Sequence, residues 1–183
     1  MIRIFDFFFS LFGLVLLSPL LLIVWVTAWF DNGSPLFFQE RVGRHKKPFM
    51  LVKFRTMPPD TLSIATHFAD ASTISQFGFF LRRSKLDELP QLLNVLSGEM
   101  SLVGPRPCLF NQQELINERN KLDVYQALPG ITGLAQIQGI DMSTPDLLAE
   151  TDAKMLNSMS LATYFRYIYL TLIGKGKGDR VRY

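Results

Sequence analysis

Three hydrophobic periodicities follow one another along the chain, and each predicts a different kind of element. The first is an unbroken apolar run. From Phe7 to Phe30 no side chain is charged, and Asp6 and Asp31 close the run at its two ends. A helix of about 20 apolar residues crosses a bilayer, so this run is long enough to enter one. It is too long for a signal peptide, and no small-x-small cleavage site precedes Asp31. Ser18-Pro19 falls near its middle. Pro19 cannot donate to the carbonyl of residue 15, which predicts a kink, and the Ser18 hydroxyl can satisfy a freed carbonyl. Arg3 precedes the run and cations from Arg41 onward follow it, so the positive-inside rule keeps both flanks on the cytoplasmic side. The pattern alone leaves open a kinked span and a re-entrant helix that dips into one leaflet and returns.

The second period is two. Pro35 to Met57 reads as two short strands around a basic turn. Lys53 and Arg55, two apart on the second strand, share a face and form a candidate diphosphate clamp. The alternative is a solvated edge strand whose charges deter aggregation.

The third period is helical. Leu86, Leu89, Leu93 and Leu96 recur at three- and four-residue steps, predicting a helix with one buried stripe. Pro90 is tolerated only in a first turn, which places the helix start at about Asp87. Asp87 and Glu88 then sit at the positive end of the helix dipole, beside Arg82, Arg83 and Lys85. Ser84-x-x-Asp87 fits a capping box, so one reading of these acids is purely structural, with either Ser84 or Asp87 as the cap. A cap needs one acid, whereas here two acids stand beside three cations.

Elsewhere, Pro58 to Gln76 reads as a loop or weak helix, Gly98 as a helix stop, and Glu114 to Gln126 as a charged helix. Pro105 and Pro107 hold Arg106 on a stiff, extended backbone suited to meeting a phosphate. Leu128 to Gln136 reads as a glycine-punctuated turn matching neither a Walker A nor a Rossmann fingerprint. Met159 to Ile173, apolar with Arg166 inside it, fits a helix at a membrane interface or a soluble core helix.

Length and charge then narrow the picture. A chain of 183 residues can build a real core, and its net charge of +3 is unevenly spread. Arg41, Arg44, Lys46, Lys47, Lys53 and Arg55 occur with no acid among them, and Lys175 to Arg182 is again basic. Such clusters suit anionic lipid surfaces or phosphorylated ligands. Few aromatics interleave with the cations, and a nucleic-acid role would leave the apolar run unexplained, so no nucleic-acid partner is expected. The single cysteine, Cys108, excludes a disulfide framework, and His45 and His67 make no zinc motif.

Taken in order, these segments resemble the bacterial sugar transferase family, the polyprenyl-phosphate sugar-1-phosphate transferases that start glycoconjugate assembly. The matching residues are the apolar run with Ser18-Pro19, Gln39 to Gly43, Lys53 to Met57 and Arg82 through Gln91. Asn94-Val95, Gly98 to Ser101, Val103 to Pro107 and Pro129 to Gly133 complete the series. The short chain resembles the minimal members, which carry only the catalytic module.

The resemblance implies a mainly α protein with a small β-hairpin, monotopic in the membrane. A Ser18-Pro19-kinked re-entrant helix over 1–32 would embed it, interfacial amphipathic helices would rest on the lipid, and 33–183 would form a cytoplasmic-face catalytic domain. It implies Asp87 as nucleophile, Glu88 as Mg²⁺ ligand, and Arg82 and Arg106 as phosphate-binding cations. A UDP-sugar would donate sugar-1-phosphate to polyprenyl (undecaprenyl) phosphate through a sugar-phosphoryl aspartate, releasing UMP. This is the first membrane step of surface glycoconjugate synthesis, at the bacterial inner membrane with the active site facing the cytoplasm. The pattern departs near the C-terminus: Asp152 stands where an acid is expected, but Met155 lies near expected aromatics and Tyr164 where a second acid is expected. Neither the sugar nor a homo-oligomeric state is legible.

The elementary chemistry agrees. A carboxylate nucleophile divides one hard displacement into two easier ones, and cations with a helix N-terminus keep it ionised. Mg²⁺ needs only one or two protein carboxylates beside substrate oxygens. Adjacent helical residues diverge by about 100°, so this pair cannot flank a glycosidic bond as glycosidase acids do.

Overall fold

The computed structural model describes residues 1–58 and 74–175. Most of the stretch from Pro58 to Gln76, His67, and the basic tail after Lys175 lie outside the described residues. Eleven regular elements follow in order: α1 (Ile2–Asn32), β1 (Leu36–Val42), β2 (Pro48–Phe54), α2 (Gln76–Ser84), α3 (Gln91–Ser97), β3 (Ser101–Val103), α4 (Gln113–Lys121), β4 (Gly130–Thr132), α5 (Leu134–Gln138), α6 (Pro145–Asn157) and α7 (Leu161–Leu172).

Helix α1 takes up the whole apolar run and passes through Pro19 without leaving the helical assignment. Ser18 Oγ donates to the Val15 carbonyl at 2.8 Å, the acceptor that Pro19 cannot serve. Its first buried residues, Asp6 and Ser10, and its last, Val24 and Ala28, lie on one stripe against the body. At the start, Ile2 and Phe5 pack on Val103, Met155 and Tyr164. Near the end, Leu20, Leu21 and Val24 pack with Phe54 and Leu81. The other face is bare: Phe8, Phe12, Leu16 and Leu22 are each 62–64 % exposed. Apolar exposure on that scale marks a surface that meets something other than water.

The expected hairpin is present. β1 and β2 pair antiparallel from Leu36↔Phe54 to Val42↔Pro48, joined by a short 3₁₀ turn over Arg44–Lys46. Asn94 of α3 fastens it to the body, donating to the Met50 carbonyl (2.8 Å) and accepting from the Val52 N–H (3.1 Å). Gly98, with φ of +88°, ends α3 as expected.

Three expectations need correction. Leu128 to Gln136 is not merely a turn, because Gly130–Thr132 forms β4, parallel to β3 with Ser101↔Gly130 and Val103↔Thr132, and α5 begins at Leu134. The pair forms because its backbones meet without side chains between them: a Cβ on Gly130 would lie 2.0 Å from the Gly104 nitrogen. Glu114 to Gln126 is not one helix, since α4 stops at Lys121 and Asp123, at φ +55°, redirects the chain into a 3₁₀ turn. The helix expected from about Asp87 begins at Gln91, with Pro90 at its N-cap position.

The C-terminal helices complete the core. Tyr164 and Tyr167 of α7 are buried, while Tyr169, Leu172 and Ile173 are exposed. α7 therefore joins both readings of its sequence, a core face and an apolar outer face. Its start is a capping box, with Ser160 and Thr163 each bonding the other's backbone N–H.

Candidate active site

The site grows from the way α2 ends. Lys85 adopts the left-handed conformation (φ +59°), and its N–H closes on the Arg82 and Leu81 carbonyls. The chain then reverses into a 3₁₀ turn, Leu86–Glu88. Leu86 folds back against the cluster of Val24, Phe54 and Leu81, which seats the turn between β2 and α1. Ser84 is not a cap for this turn: its hydroxyl donates to the Phe80 and Leu81 carbonyls within α2. The positions preceding the turn and α3 belong to Lys85 and Pro90, neither with a side-chain cap bond. Asp87 is thus the middle residue of the turn, 8 % exposed.

Glu88 meets Arg106 from the far side of the chain, Oε1 to Nη2 at 2.7 Å. Arg106 is held by a clamp on its own backbone. The Pro105 carbonyl accepts from the Gly130 N–H (2.9 Å), the Arg106 carbonyl from Arg119 Nη1 (2.8 Å), and the Pro107 carbonyl from Arg41 Nη1 (3.2 Å). Arg119 is in turn paired with Asp152, at 2.6 Å and 3.0 Å, both residues essentially solvent-free. Burial alone would weaken the Arg119 charge, but Asp152, Cys108 and Tyr125 together outweigh it and hold the guanidinium above its ordinary value.

Lys85, Glu88 and Arg106 stand together on the wall of a cavity of about 320 Å³, with Lys175 also on its wall. The rest of the wall is largely apolar, including Leu89, Leu92, Leu102 and Ile168. Burial lowers the Lys85 ammonium below its ordinary value, opposed by Glu88 and assisted by Arg106. A cavity with three cations, one carboxylate and an apolar lining suits an anionic head attached to an apolar body.

The structure thus brings Glu88 and Arg106 of the expected residues into contact. Arg82 Nε donates to Thr56 Oγ1 at 2.8 Å, and neither Arg82 nor Asp87 lines this cavity. Lys53 and Arg55 do share a face, both lying over the Phe37 ring at 5.4 and 5.3 Å. Arg55 also donates to the Ser34 and Leu36 carbonyls, so it serves the base of the hairpin rather than the cavity. Arg41, counted with the basic cluster, is likewise a buried structural cation.

Lys85, Arg119 and Asp152 are site residues that local patterns did not single out. Lys85 was legible only as one of three clustered cations. The Arg119–Asp152 pair joins two helices 33 positions apart in sequence and has no local signature. No group of three or more His, Cys, Asp or Glu side chains occurs among the described residues. A single carboxylate such as Glu88 beside anionic ligand oxygens is the donor set that Mg²⁺ accepts, and Arg106 engages only one of the roughly four acceptor positions of a carboxylate.

A family model described as bacterial sugar transferase matches residues 1–176. The sugar transferase EpsL of Bacillus subtilis is 37 % identical over 171 residues, covering 93 % of this chain and 84 % of EpsL. The undecaprenyl-phosphate galactose phosphotransferase of Salmonella typhimurium is 37 % identical over 155 residues, 75 % of this chain. The UDP-glucose:undecaprenyl-phosphate glucose-1-phosphate transferase of Xanthomonas campestris pv. campestris is 37 % identical over 183 residues, 92 % of this chain. The chain spans 32 % and 37 % of the lengths of these last two proteins. With that match across nearly its whole length, the chain belongs to the bacterial sugar transferase family.

Proposed function

We propose that this protein transfers sugar-1-phosphate from a UDP-sugar to polyprenyl phosphate, the undecaprenyl form, at the cytoplasmic face of a bacterial inner membrane. The observation that carries the reading is the cavity in which Lys85, Glu88 and Arg106 meet an apolar wall, lined by Leu86 and Glu88, the two residues that flank Asp87. The names of the Salmonella and Xanthomonas relatives support both substrates.

In this reading an oxygen of the Asp87 carboxylate attacks the β-phosphorus of the donor. The bond from that phosphorus to the bridging oxygen breaks, and UMP leaves with the electron pair. The sugar-phosphoryl group is then carried as an acyl phosphate on Asp87. A phosphate oxygen of the lipid attacks the same phosphorus, restoring the carboxylate and giving a polyprenyl diphosphate sugar. Arg106, Lys85 and Arg82 bind and orient phosphoryl oxygens, and phosphoryl transfer asks mainly for positioning and charge neutralisation. Glu88 would hold Mg²⁺, which when bound supplies further neutralisation of the phosphate charge.

Membrane placement follows from α1. Both ends of the helix seat on the same folded body, Asp6 on β3 and α7, Val24 on α2 and β2. A helix crossing the bilayer would carry one of those contacts to the far side. This supports a re-entrant helix, bent at Ser18-Pro19, with α7 resting its outer face on the lipid surface.

The test is incubation of the purified protein with Mg²⁺, undecaprenyl phosphate and a panel of UDP-sugars, following UMP and lipid-linked sugar. One donor giving equal amounts of both products is expected; no UMP from any donor would overturn the reading.

A further inference from the structure

The Arg119–Asp152 pair is an ion pair taken wholly out of water, Arg119 at 1 % and Asp152 at 0 % exposure. Such a pair is a poor stabiliser, because desolvating two charges offsets their attraction, and well-packed apolar residues would do as well. Asp152 Oδ1 is buried without a hydrogen-bond partner, so the pair is not even fully satisfied. What the pair does achieve is geometric. One carboxylate oxygen takes both Nε and Nη2 of Arg119, which leaves Nη1 aimed at the Arg106 carbonyl.

That carbonyl is an unusual handle. The peptide joining Arg106 to Pro107 has no N–H, so its oxygen is the only atom through which hydrogen bonding can set the plane of that peptide. Two peptides earlier, the Gly104–Pro105 link lacks an N–H as well. Proline rings fix φ at Pro105 and Pro107, and the ψ rotation at Arg106 turns the peptide that Arg119 grips. The guanidinium carried by this residue is the one that meets Glu88.

We propose that Arg119, aligned by Asp152, is a positioning residue for the reaction: it sets the Arg106 backbone so that the Arg106 guanidinium meets Glu88 on the wall of the cavity that takes the phosphoryl group. The inference rests on the reaction proposed above. It predicts that Arg119 acts through Arg106, which a double-mutant cycle detects.

Arg119→Lys, which keeps the charge but loses the fork, is expected to lower kcat/KM on the order of a hundredfold, the scale of a 1 Å misplacement. In an Arg106→Ala background the same substitution is expected to change kcat/KM by less than about twofold. Equal losses in both backgrounds would overturn the proposal and make the pair a structural one. Should Arg119→Lys not fold, Asp152→Asn is put through the same cycle.

A second arm needs no turnover. Thermal unfolding of Arg106→Ala, Glu88→Gln and the double variant measures the coupling of that contact. Coupling present in the parent and absent in the Arg119→Lys background supports the proposal, and coupling unchanged by Arg119→Lys overturns it. A parent chain that releases no UMP overturns the proposed reaction, and this second arm then decides the positional claim alone.

Discussion

Tyr164 donates its phenolic hydrogen bond to Asp6 Oδ1 at 2.8 Å, tying the last described helix to the first. The same oxygen accepts from Ser101 Oγ and the Leu102 N–H, and Arg3 meets the other. A buried carboxylate is costly unless surrounded by donors, and here the donors come from α1, β3 and α7. Tyr164 stands where the family pattern expects an acid; the phenol supplies a donor that an acid at neutral pH would lack.

Tyr164→Phe is expected to cost about 1.5–3 kcal/mol, the range for a hydrogen bond to a charged group, measured by denaturant unfolding. The pH dependence follows from burial and the Asp6 bond, which raise the Tyr164 phenol above its ordinary value of 10.0. The folded chain keeps a proton that the unfolded chain releases. The added stability is therefore complete below about pH 10 and is lost as pH rises above it. Tyr125, raised by burial and by Cys108, contributes in the same direction. Tyr164→Phe should show a shallower alkaline decline than the parent; identical slopes would contradict the assignment.

Asp87→Asn is expected to abolish UMP release, by about 10⁴-fold or more, as loss of a covalent nucleophile does. Its thermal midpoint should stay close to the parent's, because the two side chains have the same shape. Activity retained by this variant would return Asp87 to a structural role.

Chelation with EDTA is expected to stop turnover, and Mg²⁺ to restore it. Glu88→Gln should require a higher Mg²⁺ concentration for half-maximal rate and should also lose the charge facing Arg106. A metal dependence identical to the parent's would remove Glu88 from the metal site.

Lys85 separates backbone from charge. Its left-handed conformation costs an ordinary side chain about 1–2 kcal/mol, which glycine avoids. Lys85→Gly should therefore fold at least as stably as Lys85→Met, while both lose donor turnover by a similar factor. A Lys85→Gly variant with full activity would show that only the turn geometry matters.

What the sequence made legible was whatever local spacing encodes. Lys53 and Arg55 share a face because strand residues alternate, and Gly98 stops α3 because glycine accepts φ > 0. Ser18 bonds the carbonyl that Pro19 abandons because the two are neighbours. The turn holding Asp87 was harder: Leu86 fitted the helical period, yet it turns back onto Phe54 and Leu81 and delays the helix to Gln91. Arg55 read as a ligand cation, and its Nε and Nη2 turn out to bond the Ser34 and Leu36 carbonyls, which lie too far back in the chain for local spacing to show. The clamp on Arg106 lay beyond reach altogether, since Gly130, Arg119 and Arg41 come from three segments whose spacing carries no common period.

The links made by Asp6 also bear on the order of assembly. Apart from Arg3, its partners lie 95, 96 and 158 residues downstream. During synthesis the later part of α1 can seat on β2 and α2 first, whereas Asp6 waits for β3 and gains its phenolic partner only when α7 exists. Contacts this distant in sequence carry the full entropic cost of loop closure before they return anything. Docking of the Asp6 end of the helix is therefore completed late in folding, and a chain truncated before Tyr164 would leave Asp6 without its phenolic partner.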